Sequence, residues 1–252
     1  QDDESLSRND WKSIAFHSQE VAEEAASICS ELQLPDDVSE LLQLAARWHD
    51  LGKSHPAFQG MLRDRENEQR PDRSDLAKGP DAARHPALLG PWVELLESLS
   101  HPVPDAAAEV SHPEIQRLID CSADDFDLLA YLVASHHGKV RVALHAAPAD
   151  QDYQPTDGDP HGLPIRGVRT GDVLPSIALT PDGLPLPELP LTLEPAALGL
   201  SFETGASWRE RTLKLIERLG PSRLGFLEAV LRSADVRASQ RTTSDQAFET
   251  AT

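Results

Sequence analysis

The sequence has 252 residues, and its 23 Lys and Arg against 42 Asp and Glu give a formal net charge of −19 at pH 7; this length allows one large domain or two small ones. Two distant cysteines, Cys29 and Cys121, exclude a disulfide scaffold and a thiolate zinc site, and no apolar run reaches the roughly 18 residues that a membrane-spanning helix needs. The composition predicts a protein of the reducing cytoplasm, and its acidity argues against an independent, high-affinity binder of nucleic acid.

The first half of the chain predicts a series of amphipathic helices, because apolar residues recur at spacings of three, four and seven. The predicted helices cover about residues 9–32, 37–51, 86–96, 111–119 and 124–137. Asn9 or Asp10 is the expected N-cap of the first helix, and Gly52 is the expected C-cap of the second. Residues 63–81 predict a mixed-charge loop that contributes nothing to the core.

A proline-rich insertion is predicted over about residues 148–204. It contains half of the 20 prolines, and helical periodicity disappears there. Within it, Val173–Leu179 and Leu189–Leu193 predict the two strands of a small β-hairpin, with Thr180–Gly183 as the turn.

Helical periodicity returns over residues 206–219 and 222–239. We therefore expect one all-α domain over residues 1–252, with its core helices at about 10–147 and 205–240. The first residue is Gln1 and Met61 is the one methionine, which predicts a piece of a longer polypeptide or a processed chain.

Several ionisable residues fall on the apolar faces of these helices. They are His17, His49, His136, His137 and Asp235. A single histidine on such a face is more often a satisfied core residue than a ligand, and a lone buried aspartate can pair with an arginine. Burying several such groups is costly, however, unless they share a partner.

A divalent metal ion is the partner that imidazoles and carboxylates have in common. Asp50 follows His49 directly, and its two carboxylate oxygens could bridge two ions. Five or more ligands exceed what one tetrahedral ion needs, which favours two ions, an arrangement that suits phosphodiester hydrolysis. Mixed nitrogen and oxygen ligands admit Mn²⁺, Fe²⁺, Co²⁺, Ni²⁺ or Mg²⁺.

An ordered set of motifs resembles the HD superfamily of metal-dependent phosphohydrolases, and more narrowly the HD nuclease domain of the CRISPR-associated helicase-nuclease of type I systems. The motifs are His17, Trp48-His49-Asp50-Leu51-Gly52-Lys53, Arg84-His85, Ser135-His136-His137-Gly138 and Ala234-Asp235. They extend from residue 17 almost to residue 239, where Arg237-Ala238-Ser239 follows the last of them.

The resemblance implies a ligand set for each ion. His17, His49, Asp50 and Asp235 would hold one metal, with Asp50 bridging. His85, His136 and His137 would complete the second site. Pro86 stands where the family often has Glu, so this part of the pattern departs from the family.

The remaining histidines that precede proline are His55, His101 and His112, which we interpret as loop residues or helix N-caps rather than ligands. Lys53 is the candidate for stabilising the phosphate or the transition state, and the alternative is a cation at the end of a helix dipole.

Other residues carry weaker expectations. Lys139 and Arg141 are candidates for contacts with the substrate backbone, or for a solvated strand end. Residues 166–172 are open between a substrate wall and a docking surface.

The resemblance implies a metal-dependent nuclease that cuts single-stranded DNA, with attack by a metal-activated water and no side-chain nucleophile. It would be fused to, or docked on, a helicase and an effector complex, and the family includes an arrangement with the HD domain after the helicase. The alternatives are a phosphohydrolase of nucleotides or cyclic nucleotides, and an interaction module with a vestigial site.

Residues 205–241 are basic although the chain is acidic, with eight Lys and Arg against four Asp and Glu. This segment predicts either a local DNA-binding track or ordinary salt bridges on helix faces. In the first case the domain would cut DNA that a more basic partner holds.

Overall fold

The computed structural model describes residues 11–63, 75–78, 112–136, 171–191 and 206–241. The described helices are α1 (Ile14–Glu31), α2 (Asp36–Trp48), α3 (Pro56–Arg63), α4 (Pro113–Ile119), α5 (Ala123–Ser135), α6 (Trp208–Leu219) and α7 (Pro221–Gln240), with a 3₁₀ turn at Leu51–Ser54. The strands are short: β1 (Lys12–Ser13), β2 (Leu76–Lys78), β3 (Val173–Leu174) and β4 (Leu189–Pro190). The predicted all-α class is confirmed. No helix in these ranges is long and apolar enough to cross a membrane.

Four helices enclose the core and will carry the functional residues. Helix α1 packs against α2 and α7, and α5 packs against α2, α6 and α7. The apolar stripes predicted from the sequence form this core, which includes fully buried Ile14, Trp48, Leu129 and Leu231. The packing of amphipathic faces therefore brings α1, α2, α5 and α7 around one centre.

The first helix begins later than its apolar pattern predicts. Helix α1 starts at Ile14, and Ser13 caps it by accepting a hydrogen bond from the Phe16 backbone N–H. Lys12 and Ser13 are instead extended and pair with β2 in an antiparallel ladder. The expected cap at Asn9 or Asp10 is therefore wrong, because strand pairing outweighs the local helical pattern in the residues before the cap.

The segment of residues 63–81 is not purely a solvated loop. Leu76 and Ala77, which lie in β2, are buried in the core. The prediction that this segment has no core residues is wrong, because two apolar residues inside a charged stretch give no periodic signal. The rest of the loop after Arg63, apart from residues 75–78, lies outside the described residues.

A buried lysine joins the start of α1 to the end of α7. The Nζ atom of Lys12 donates to the backbone carbonyls of Ala238 and Arg241 at 3.0 Å each, and to Glu20 Oε2 at 2.7 Å. The Ala238 carbonyl lies in the last turn of α7 and also accepts from the Arg241 N–H, while Arg241 directly follows the helix. Lys12 therefore adds a charged donor at this terminus and fixes the end of α7 against α1.

We expect Lys12→Met to lower the free energy of unfolding by about 2–3 kcal/mol, because it removes a buried charged donor from two carbonyls at the end of α7 and from Glu20. Urea unfolding followed by circular dichroism measures the change. Lys214→Met is the matched control, since Lys214 is exposed on α6. Equal unfolding midpoints for the two variants would contradict this role for Lys12.

The second helix ends at Trp48, before the predicted end at Leu51. Gly52 is not its C-cap but lies inside the 3₁₀ turn, where the Lys53 N–H donates to the Asp50 carbonyl at 3.0 Å. Helix α3, which follows this turn, was not predicted. The helices predicted over 111–119, 124–137, 206–219 and 222–239 are observed as α4 to α7 with shifted ends, whereas the one predicted over 86–96 lies outside the described residues.

The predicted hairpin in the insertion is present with shorter strands. β3 pairs with β4 in an antiparallel ladder, and Gly183 closes the turn through a hydrogen bond to the Thr180 carbonyl. Pro175 and Pro187 limit the paired stretches, because proline has no N–H to donate, whereas Pro190 lies in β4 opposite Val173. The hairpin is therefore reduced to two paired stretches and an isolated bridge between Ala178 and Pro185.

Candidate metal centre

Five predicted ligands meet where α1, α2, α5 and α7 converge. Among the described residues, two groups of three side chains could each hold a metal ion. The groups are His17, His49 and Asp235, and His49, Asp50 and His136, and the ligand atoms within each group lie within 4.8 Å of one another. The ring centroid of His49 lies 5.3 Å from that of His17 and 5.1 Å from that of His136. The two groups share His49 and therefore form one continuous cluster.

The two histidines at helix ends are oriented by the same local contact. His49 follows the last residue of α2, and its Nδ1 donates to the Ala46 carbonyl at 2.6 Å. His136 follows the last residue of α5, and its Nδ1 donates to the Val133 carbonyl at 2.6 Å. A carbonyl can only accept, so Nδ1 carries a proton in both rings, and Nε2 is the atom available for a metal.

The donor set fits a divalent cation. The Nε2 atom of His49 is buried and forms no hydrogen bond, although Asp50 Oδ2 lies 3.4 Å away and Asp235 Oδ1 lies 4.0 Å away. A buried imidazole nitrogen without a hydrogen bond lacks the partner that buried polar atoms normally have, and here it lies next to two carboxylates. Imidazole and carboxylate together suit Mn²⁺, Fe²⁺, Co²⁺ and Ni²⁺.

Electrostatics keep the central carboxylate ionised. Burial by itself raises the pKa of Asp50, but the neighbouring His49, Lys53 and His17 outweigh it and hold that pKa well below its usual range. Burial by itself lowers the pKa of His49, but the charges of Asp50 and Asp235 reverse the effect and raise it. The cluster therefore contains a carboxylate in the charged form that ligates metals.

Asp235 reaches the cluster from α7. Its Oδ1 accepts a hydrogen bond from His17 Nε2 at 2.9 Å, and Asp50 Oδ2 lies 3.5 Å from the same nitrogen. One turn later on α7, the Ser239 hydroxyl donates to the Asp235 carbonyl at 2.6 Å. The sequence analysis assigned no role to Ser239, although its spacing of four from Asp235 predicts that both residues lie on one face of α7.

Lys53 lies beside the cluster, in the turn that follows α2. Its Nζ donates to Asp50 Oδ2 at 2.7 Å, and its side chain is partly exposed. The ammonium group is therefore placed between a candidate ligand and solvent.

Several candidates lie outside the described residues or away from the cluster. His85, His101, His137, Lys139, Arg141 and residues 166–170 lie outside the described residues. His112 is the N-cap of α4, which confirms the N-cap interpretation over the loop interpretation. It is also buried, and its Nε2 donates to the Leu184 carbonyl at 3.0 Å.

His55 is not an exposed loop residue. It is buried, and its Nε2 donates to Asp172 Oδ2 at 3.2 Å. His55 and His112 thus attach the hairpin of the insertion to the helical core from two sides.

The basic segment on α6 and α7 divides into two classes. Arg211, Arg218, Arg237 and Arg241 form ion pairs with acidic residues of α5 and α1. Arg209, Lys214, Arg223 and Arg232 are exposed and form no ion pair within the described ranges. Salt bridging therefore accounts for four of the eight basic residues of the segment.

Comparison with protein families gives a match over most of the chain. The family model described as Cas3, HD domain, matches residues 3–216 of the chain. The curated proteins and the solved structures gave no match. Asp235 lies beyond the matched residues, so its place beside His17 is an observation of the structure alone. Because the family model covers well over half of the sequence, the chain belongs to the HD domains of Cas3, which are metal-dependent nucleases of type I CRISPR systems.

Proposed function

We propose that this domain hydrolyses phosphodiester bonds of single-stranded DNA, and that a helicase and a CRISPR effector complex supply the strand. The observation that carries the proposal is the buried cluster of three histidines and two aspartates with Lys53 at its edge. The proposed ligands are His17, His49, Asp50, His136 and Asp235, together with His85 and His137.

Divalent ions bound there would activate the attacking water and neutralise charge on the phosphate oxygens. The protein's own groups have separate tasks. The carbonyls of Ala46 and Val133 keep the rings of His49 and His136 in one orientation. Asp50 belongs to the second group, is held ionised, and has its Oδ2 3.5 Å from His17 Nε2 of the first group. As a carboxylate with two oxygens, it would be able to contact both ions.

Lys53 has a second task in this proposal. Its Nζ neutralises one oxygen of Asp50 and can turn toward a phosphate oxygen, since its side chain is partly exposed. A cation placed where charge develops favours the transition state more than the ground state.

The recessed position of the cluster favours a single strand over a duplex. His49 and Asp50 are buried, whereas Asp235 and Lys53 are partly exposed and mark the open side. A flexible single strand can bring one phosphate into such a recess more easily than a rigid duplex. The unpaired cations Arg209, Lys214, Arg223 and Arg232 are available for other phosphates, although the chain's charge of −19 requires a basic partner for tight binding.

The test is cleavage of single-stranded DNA by the 252-residue chain with Mn²⁺, Ni²⁺ or Mg²⁺. Wild type is compared with Asp50→Ala, and Asp124→Ala serves as the matched control. Asp124 is exposed, pairs with Arg218 and lies in the first turn of α5, whereas His136 follows the last residue of that helix. We expect cleavage by wild type and by the control, and none by Asp50→Ala or after chelation.

Two outcomes would contradict the proposal. Activity that survives Asp50→Ala would exclude this mechanism. Release of product from nucleotides or cyclic nucleotides without cleavage of DNA would favour the phosphohydrolase alternative instead.

A further inference from the structure

A buried glutamine lies next to the cluster and bridges two separate segments. Gln59 is on α3, and its Nε2 donates to the Lys53 carbonyl at 2.7 Å and to the Leu76 carbonyl at 2.8 Å. Only 3 % of the residue is exposed. Both amide protons are therefore used on main-chain acceptors.

The orientation of this amide is determined by its surroundings. A flipped amide would place Oε1 against the Lys53 and Leu76 carbonyls, which are both acceptors, so only the observed orientation makes hydrogen bonds. An amide is also the side chain that the site requires, because a carboxylate has no proton for either carbonyl and an apolar side chain leaves both unsatisfied.

The first of the two segments is the turn that contains Asp50 and Lys53. The Lys53 N–H donates to the Asp50 carbonyl, and Lys53 Nζ donates to Asp50 Oδ2. Gln59 binds the remaining main-chain group of Lys53, its carbonyl. The position of Lys53, and through it that of the Asp50 carboxylate, is thus fixed from both sides.

The second segment leads to His17. Leu76 is paired with Ser13, the N-cap of α1, and the Asp75 carbonyl accepts from the Ile14 N–H at 2.7 Å. Strand β2 therefore holds the first turn of α1, and His17 lies one turn farther along.

We propose that Gln59 is a positioning residue for the metal centre: it sets the turn of Asp50 and Lys53 at a fixed distance from the start of α1, and so fixes Asp50 relative to His17. It does not contact the ions itself. This inference rests on the proposed function, since it assumes that both residues hold metal.

The test is a titration of the metal-free chain with Co²⁺, followed by its visible absorption bands, whose position and intensity report ligand geometry. Gln59→Met keeps the size of the side chain and removes both donors. Gln43→Met is the matched control, because Gln43 on α2 donates locally to Ser39 Oγ at 3.2 Å. Circular dichroism and thermal unfolding show which variants are folded at the titration temperature.

We expect the Co²⁺ dissociation constant of Gln59→Met to rise roughly 10–100-fold, as for other residues that orient metal ligands, with shifted absorption bands. Gln43→Met should match wild type. A Gln59→Met chain with the affinity and bands of wild type would overturn the role of Gln59 alone. A wild-type chain that binds no Co²⁺ would overturn the proposed function as well.

If Gln59→Met does not fold, Gln59→Asn carries the test. Its amide is one methylene shorter and cannot reach both carbonyls without movement of the main chain. A weakened Co²⁺ affinity and altered bands in Gln59→Asn support the inference, and wild-type values overturn it.

Discussion

Replacing Asp50 by alanine is expected to remove metal binding from the whole cluster, whereas replacing His17 or His136 should each remove only one ion. The reason is that the two oxygens of a carboxylate could serve both ions, whereas Nε2 of a histidine has one lone pair and binds one ion. Asp50 Oδ2 lies 3.4 Å from His49 Nε2 and 3.5 Å from His17 Nε2. His17→Ala leaves His49, Asp50 and His136 in place, and His136→Ala leaves His17, His49 and Asp235.

Elemental analysis of dialysed protein and calorimetric titration with Mn²⁺ measure the number of bound ions and their affinity. We expect two ions for wild type and one for each of the two histidine variants. For Asp50→Ala the apparent affinity should fall by more than about 100-fold, the upper end of the cost of losing an outer partner of a ligand.

His112→Ala is the control, because His112 is also a buried histidine but caps α4 away from the cluster. It should lower stability and leave the number of bound ions unchanged. Two tightly bound ions in Asp50→Ala would contradict the bridging role of Asp50.

Lys53→Met is expected to reduce kcat by roughly 10²–10³-fold while the number of bound ions stays the same. That loss is typical of removing one preorganised electrostatic group from an active site. Lys53 neutralises Asp50 through a 2.7 Å contact without belonging to either group of ligands, so its removal should affect the transition state more than the metal.

Single-turnover cleavage at saturating metal, combined with the Mn²⁺ titration, separates the two effects. Lys53→Arg should retain part of the activity because it keeps the charge. If Lys53 acts only as a cation at a helix end, both variants would keep the kcat of wild type and Lys53→Met would show only a lower unfolding temperature.

The residues of the candidate site that lie on helix faces were accessible from the sequence. His17 and Asp235 were found because a helix has a period of 3.6, which places residues four apart on one face. His49 and His136 were found in the same way, although both lie just beyond the last helical residue. A polar side chain on a buried face can be recognised from the sequence, because it interrupts the periodic pattern of apolar residues.

The supports of the site were not accessible, because they depend on contacts between distant segments. Lys12 falls within the first helix that the sequence predicts, yet it donates to carbonyls more than 220 positions away. Leu76 reads as a loop residue, yet it is fully buried and accepts from Gln59. The periodicity within one segment cannot predict a hydrogen bond to another segment.

The ends of α2 and α5 have a consequence for the charge of the site that does not depend on its side chains. The peptide dipoles of a helix add up to about half a negative charge at its C-terminus. Both helices end at the cluster, with His49 and His136 directly following them. The backbone itself therefore creates a negative potential where cations would bind, and the termination of two helices favours a cation before any ligand has contacted it.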